Sequence, residues 1–218
     1  MPLIRAVLFD FGLVLSGPPD PLARRRMETI LNTTHPDLRA AYWRHRDDYD
    51  LGVLDGVGFW RTVGAELGHP PTDEELARLL QADVDLWTQP NQPMIGWAAA
   101  LQRGGITTGI LSNMGDAMEA GILNRFPWLE RFSHRTFSHQ LGVAKPDTRI
   151  YRHAIAGVGE PPDATLFIDD RIENVEGARA VGLHALQYPS HDEFLQAFHN
   201  ADFTGLPLPA AENTATTP

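Results

Sequence analysis

The chain contains no cysteine, which excludes disulfides, thiolate nucleophiles and cysteine-built zinc or iron–sulfur centres. Positive charge is scarce: 18 Lys and Arg stand against 28 Asp and Glu, a formal net charge of −10. A basic surface for nucleic acid is therefore not expected. Long apolar runs are missing as well, and nothing approaches the roughly 18 residues of a membrane span. Arg5 and Asp10 interrupt the first apolar stretch too early for a signal-peptide core, so the expected location is cytoplasmic. The nine histidines are scattered, and none forms the helical His/Glu pattern of a zinc site. No internal repeat is present. None of these absences excludes a small anionic ligand, because a few lysines and a metal ion can reverse the sign locally.

What is present is an ordinary globular composition, 218 residues with 43% hydrophobic content. That length suits one α/β domain with a modest insertion. The unbroken apolar run Ala6 to Phe9 ends on Asp10 and Gly12, the pattern of a strand buried on both faces of a parallel sheet. A breaker-rich loop at residues 16–21 follows. Residues 21–90 carry helical periods, with Asp55 and Thr72-Asp73-Glu74-Glu75 as helix starts, the second a capping box. This region reads as a helical insertion, and as the lid. Strand and helix patterns then alternate: strands at 106–111, near 135–138, at 164–168 and at 183–186, with helices between them and one at 192–198. Strand–helix alternation implies parallel pairing with right-handed crossovers. The expected fold is α/β, a doubly wound, Rossmann-like parallel sheet at 1–16 and 91–200 with a small helical cap domain at 17–90. Residues 201–218 are expected to be a disordered tail.

Four strand ends carry polar groups: Asp10, Ser112, the Lys145 loop and Asp169-Asp170. In an open α/β sheet they collect at the carboxyl edge, where ligands bind. Several carboxylates in one pocket repel unless a cation lies between them, and hard oxygen donors suit magnesium. Lys145 is suited to phosphate, and Ser112 can hydrogen-bond phosphate oxygens. A carboxylate, a metal and a lysine suffice for phosphoryl transfer through an aspartyl phosphate.

In order and separation, four motifs resemble those of the haloacid dehalogenase-like hydrolases: Phe9-Asp10-Phe11-Gly12-Leu13-Val14-Leu15, Leu111-Ser112-Asn113, Lys145-Pro146-Asp147, and Phe167 through Asn174. The insertion resembles that family's C1 cap. The chain is most similar to small sugar-phosphate phosphatases of the glucose-1-phosphate phosphatase group, and more distantly to the phosphatase-like domain of epoxide hydrolases. The resemblance implies a magnesium-dependent phosphatase acting on a small phosphorylated metabolite. Asp10 would be nucleophile and metal ligand, Gly12 would offer a backbone carbonyl to the metal, and Asp170 would be the second carboxylate. Asp169 would be a ligand or a partner of the ligands. Ser112 and Lys145 would bind the phosphoryl group, and Asn113 and Asn174 would orient the loop and the acidic pair.

Phosphatases of the family usually carry a second aspartate two positions after the nucleophile, as general acid and base. Here Gly12 occupies that position. General acid–base catalysis contributes about 10²–10⁴-fold, so a substitute is needed: Arg44, His45, Arg46, His139 or solvent. Trp43-Arg44-His45-Arg46 places Arg44 and His45 among the expected substrate contacts. Two alternatives remain, a 2-haloacid dehalogenase and a phosphate-binding regulatory member without turnover. A halide leaving group needs no proton, but Asp169 and Asp170 would set extra negative charge beside an anionic haloacid. The five tryptophans are read as fillers of the core or of the seam, Arg24-Arg25-Arg26 as a solvated face, and Arg171 as an ion-pair partner. No oligomeric state follows from the sequence.

Overall fold

A computed structural model describes residues 2–210. Among the described residues five short strands form one parallel sheet: β1 (Ala6–Phe9), β2 (Thr107–Ser112), β3 (His134–Phe137), β4 (Thr165–Asp169) and β5 (His184–Gln187). Their order is β3-β2-β1-β4-β5. β1 is central, pairing Phe9 with Ile110 on one side and with Ile168 on the other. The register sets the ends of β1, β2 and β4 level at one edge.

Alternation along each strand divides the core into two layers. Val7, Phe9, Ile110 and Ile168 face α5 (Gln92–Arg103), α6 (Asp116–Arg125) and α10 (His191–Ala201). Ala6, Leu8, Leu111 and Phe167 face α8 (Thr148–Val158) and α9 (Ile172–Ala180). Side chains of opposite parity point to opposite faces of a strand, and both faces are covered. This explains why the strands read as continuous apolar runs.

Four helices lie between β1 and α5: α1 (Pro21–Ile30), α2 (His35–Asp50), α3 (Gly56–Glu66) and α4 (Asp73–Trp87). Asp20 and Asp55 cap α1 and α3, and Thr72 with Glu75 closes a reciprocal capping box on α4. The four helices bury a hydrophobic cluster of their own, including Met27, Tyr42, Phe59, Trp60 and Leu79. The two connections to the sheet run side by side, bridged between Ser16 and Pro90, with Asn91 N–H donating to the Leu15 carbonyl. Elsewhere the helices press on the sheet domain chiefly where α4 and α3 pack on α6, and Tyr49 of α2 meets the start of α6. Gly56 N–H donates to the Asp116 carboxylate, and the Tyr49 hydroxyl accepts from Met118 N–H.

The expected disordered tail is corrected for residues 201–210. Ala201 closes α10, Thr204 pairs with Leu3, and the Pro207 carbonyl accepts from the Trp97 indole at 2.8 Å. Phe203 and Leu206 pack on the core, so this stretch has the apolar anchors that its composition concealed. Residues 211–218 lie outside the described residues. A four-residue helix, α7 (Ser138–Leu141), also follows β3 where none was expected. Among the described residues no helix is long and apolar enough to cross a membrane.

The α2–α6 contact depends on Gly115. Its backbone, at φ −83°, would suit any residue, but a Cβ there would lie 2.0 Å from the Tyr49 ring. Gly115→Ala should therefore lower the unfolding free energy by about 1–3 kcal/mol, the usual cost of overpacking. Urea titration measures this, and a wild-type midpoint would contradict the close docking of α2.

Candidate active site

Asp10 leaves β1 at the carboxyl edge, and its Oδ1 accepts from Phe11 N–H at 2.7 Å. The chain then makes one tight turn over Phe11–Leu15, closed by Ser16 N–H donating to the Phe11 carbonyl at 2.8 Å. Leu13 sits in the left-handed region at φ 57°, where its N–H donates to the Ser16 hydroxyl. Such a conformation costs a bulky residue about 1–3 kcal/mol, and it concentrates where a turn must hold a functional group in place. Gly12 lies on this turn at φ −62°, ψ 129°.

Lys145 reaches the same edge from the loop after α7 and is 5% exposed. Its ammonium lies 2.6 Å from Asp169 Oδ2, 3.0 Å from Asp10 Oδ1 and 3.1 Å from the Leu111 carbonyl. An ammonium has three protons, so these three acceptors saturate it. Asn113 fixes the loop reciprocally: its Oδ1 accepts from Lys145 N–H at 2.8 Å and its Nδ2 donates to the Lys145 carbonyl at 3.1 Å. Asp169 is fully buried, and its Oδ1 accepts from Arg171 N–H and from Asn174 Nδ2. Both of its oxygens are thereby engaged inside the protein. The Asp170 carboxylate is half-buried and faces the cavity.

One oxygen from each of Asp10, Asp169 and Asp170 lies within 4.8 Å of the others. Burial pushes the Asp10 carboxyl up to about 7. Lys145 and the Ser112 hydroxyl oppose the rise, while Asp169 and Asp170 add to it. Burial, then Asp169, pushes Asp170 up to about 6. Burial works against the Lys145 charge, but Asp10 and Asp169 outweigh it and hold the ammonium above its ordinary value. Three carboxylates thus share one cation, and the surplus negative charge and hard oxygen donors are what a divalent ion such as magnesium fits. Asp10, Asp169 and Asp170 are the carboxylates whose oxygens could together hold one, and Gly12 lines the same cavity.

The cavity has a volume of about 570 Å³ and extends from this edge to the helical insertion. Asp10, Gly12, Ser112, Asn113, Lys145 and Asp170 all line it. Arg44 and His45 do not. Arg44 is exposed and both bond Glu66 on α3, so their expected place at the substrate is corrected. His139, bonded to Glu119 at 2.6 Å, is also outside it. The α2 side chains that do line it are Trp43, Arg46, Asp47 and Asp50. These are one helical face (i, i+3, i+4, i+7), and residues 44 and 45 fall off that stripe. The tryptophan reading holds for Trp60 and Trp97, which are buried, for Trp128, packed on the sheet-domain core, and for Trp87, packed between the two cores at the cavity, whereas Trp43 is 48% exposed and lines the cavity. Arg171 lines it too and is bonded to Glu173.

Arg46 opens a buried polar chain that the sequence did not reveal. Its Nε donates to Asp50 Oδ1 at 2.7 Å and its terminal nitrogen to the Tyr42 hydroxyl. That hydroxyl also accepts from the Trp87 indole at 3.1 Å and donates to Asp83 Oδ1 at 2.8 Å. One donor and two acceptor sites on Tyr42 are thus all used.

Comparison with known proteins agrees with this geometry. The model of the haloacid dehalogenase-like hydrolases matches residues 19–182. The chain belongs to that family of hydrolases. It is 25% identical over 183 residues to the N-acetylmuramic acid 6-phosphate phosphatase of Pseudomonas aeruginosa, covering 82% of this chain and 79% of that protein. It is 29% identical over 110 residues to (S)-2-haloacid dehalogenase 1 of a Pseudomonas species, 50% of this chain and 48% of that one. The chain thus spans about half of that dehalogenase. It spans 18% of rat bifunctional epoxide hydrolase 2, to which it is 34% identical over 98 residues, 43% of this chain. Among solved structures, a Bacteroides thetaiotaomicron enzyme of the family, in complex with magnesium and inorganic phosphate, superposes with a TM-score of 0.66 at 19% identity. The superposition covers 84% of this chain and 93% of that one, and the likeness is one of fold.

Asp83 yields a pH prediction away from the carboxylate edge. It is 2% exposed, and burial pushes its carboxyl up from 3.8 to about 6 against the pull of Arg46. With the folded value above the unfolded one, its stabilising contribution is complete below about pH 4 and is lost as pH rises through 6. Asp83→Asn removes that loss. From pH 4 to pH 7 the wild type should lose about 3 kcal/mol more unfolding free energy than the variant, measured by paired urea titrations. Equal losses would contradict the assignment.

Proposed function

We propose that the protein is a magnesium-dependent phosphatase that hydrolyses a small phosphate monoester, a sugar phosphate or a similar metabolite, through an aspartyl phosphate on Asp10. The observation that carries this reading is the meeting of Asp10, Asp169 and Asp170 with a single ammonium at the mouth of the cavity. Asp10 Oδ1 is held by Phe11 N–H and Lys145, which fixes the carboxylate at the cavity for attack on phosphorus. Lys145 lowers the negative potential that a phosphate ester meets, and Ser112 and Asn113 stand beside Asp10 to bind the phosphoryl oxygens. Asp169 works from behind, bonding Lys145, the Arg171 amide and Asn174, so its role is to orient. Magnesium, held by Asp10, Asp170 and the Gly12 carbonyl, would supply charge neutralisation and a Lewis acid for the phosphoryl group. The helical insertion acts as a cap, and the alcohol portion of the substrate lies against Trp43, Leu51 and Trp87. The Pseudomonas aeruginosa phosphatase and the magnesium- and phosphate-bound relative support this assignment.

The dehalogenase relative favours a second reading, in which Asp10 attacks a carbon bearing a halide. The half-buried Asp170 weighs against it, because a haloacid brings another carboxylate to a site with surplus negative charge. Phosphate release from an aryl phosphate and chloride release from 2-chloropropionate separate the two. The phosphatase reading predicts phosphate release that EDTA abolishes, magnesium restores and Asp10→Asn reduces by at least about 10³-fold, without loss of stability. Chloride release unaffected by EDTA, or wild-type phosphate turnover in Asp10→Asn, would overturn it.

A further inference from the structure

A phosphate ester of an ordinary alcohol needs a proton on the departing oxygen, and the turn after Asp10 has no group to give one. Gly12 faces open space: a Cβ built there meets nothing within 4 Å. A side chain that carries the proton must therefore come from another wall of the cavity. Arg46 is ruled out, since a guanidinium does not give up its proton in a protein and this one is bonded to Asp50 and Tyr42. The three protons of Lys145 are taken, and Arg171 is bonded to Glu173. His45 and His139 point elsewhere and are bonded to Glu66 and Glu119. Asp10 and Asp170 have their own tasks. Two carboxylates of α2 remain, Asp47 and Asp50.

These two differ in how they are held. Asp47 is exposed, and among the described residues its carboxylate has no hydrogen-bond partner. The Asp50 side chain is 13% exposed and is fixed at both ends. Its carbonyl accepts from the Ser138 hydroxyl at the start of α7. Just beyond it, Gly52 at φ 72° packs so close to the His139 carbonyl that a Cβ would lie 2.6 Å from that oxygen. Its Oδ1 accepts from Arg46, the end of the buried chain through Tyr42 to Asp83. Keeping that chain dry inside four helices is costly, and such networks are justified by the geometry they enforce. What this one fixes is a carboxylate on the wall of the same cavity that Asp10 lines, within electrostatic reach of Lys145. Burial raises the Asp50 carboxyl above its ordinary value, with Asp47 adding to the rise, while Arg46 and Lys145 restrain it.

We propose that Asp50 is the general acid and base of this site, in the role that Gly12 leaves vacant. In the first half-reaction a carboxylate oxygen of Asp10 bonds to phosphorus, the bond from phosphorus to the alcohol oxygen breaks, and Asp50 gives its proton to that oxygen. In the second, the Asp50 carboxylate takes a proton from water as the water oxygen bonds to phosphorus and the Asp10–phosphorus bond breaks. Inorganic phosphate leaves, and both aspartates return to their starting forms. Arg46, Tyr42 and Asp83 are positioning residues for Asp50. The assignment rests on the phosphatase reading above.

The test uses single-turnover alcohol release, with magnesium present, from two esters: an alkyl phosphate, whose leaving group needs the proton, and a nitrophenyl phosphate, whose leaving group does not. Asp50→Asn keeps the acceptor for Arg46 but cannot carry the proton. It should lose at least about 100-fold on the alkyl ester and change little on the nitrophenyl ester. Adding Gly12→Asp to that variant, in the open space beside Asp10, should restore alkyl turnover and show that the fold is intact. Equal losses on both esters, or wild-type rates on both, would overturn the role of Asp50 alone. A wild-type enzyme that releases neither alcohol would overturn both this role and the phosphatase reading.

Discussion

Lys145 brings one positive charge to a buried edge where three carboxylates converge, and the arrangement of the site follows from how that charge is shared. Its three protons go to Asp10, Asp169 and the end of β2, so one side chain ties together β1, β2 and β4. Breaking a buried ion pair by removing one partner typically costs about 3–5 kcal/mol, and here two carboxylates would be stranded at once. Lys145 is therefore a structural clamp on Asp10. The balance is still negative after it has acted, which is why burial and mutual repulsion hold Asp10 and Asp170 above the ordinary carboxylate range. A divalent cation is the simplest completion of this charge set.

The helical insertion contributes a different kind of order. Its own core is aromatic, with Tyr42, Tyr49, Phe59 and Trp60 in mutual contact, but through it runs the chain from Asp83 to Asp50. The C-terminal end of α2 is pressed onto the sheet domain at Gly115 and at Ser138, close to the ends of β2 and β3. The α2 wall of the cavity is thus built by contacts outside the α2 sequence itself, and its polar groups are aligned by partners on α4.

Much of the fold was legible because buried parallel strands advertise themselves. The runs ending at Phe9, Leu111 and Ile168 fall within a residue of β1, β2 and β4, and each is followed by the polar group that lines the edge. The capping signals at Asp55 and Thr72 were equally local and marked the starts of α3 and α4. What was not legible depends on helix phase. In Trp43-Arg44-His45-Arg46 every residue type suits a phosphate site, and only packing against α3 and α4 decides that Arg44 and His45 turn to Glu66 while Arg46 turns inward. Asp50 was hidden for the same reason. The tail was misread because Pro, Ala and Thr dominate its composition, while the few anchors, Phe203 and Leu206, have no periodicity.

The central claim is that Asp10 carries the phosphoryl group during turnover. It is tested most directly by mixing enzyme and excess phosphate ester with magnesium, quenching in acid within one turnover, and mapping the modified peptide by mass spectrometry. The account predicts one added phosphoryl mass on the peptide containing Asp10, removed by hydroxylamine as expected of an acyl phosphate. Active turnover with that peptide unmodified, or with the label on another residue, would contradict it.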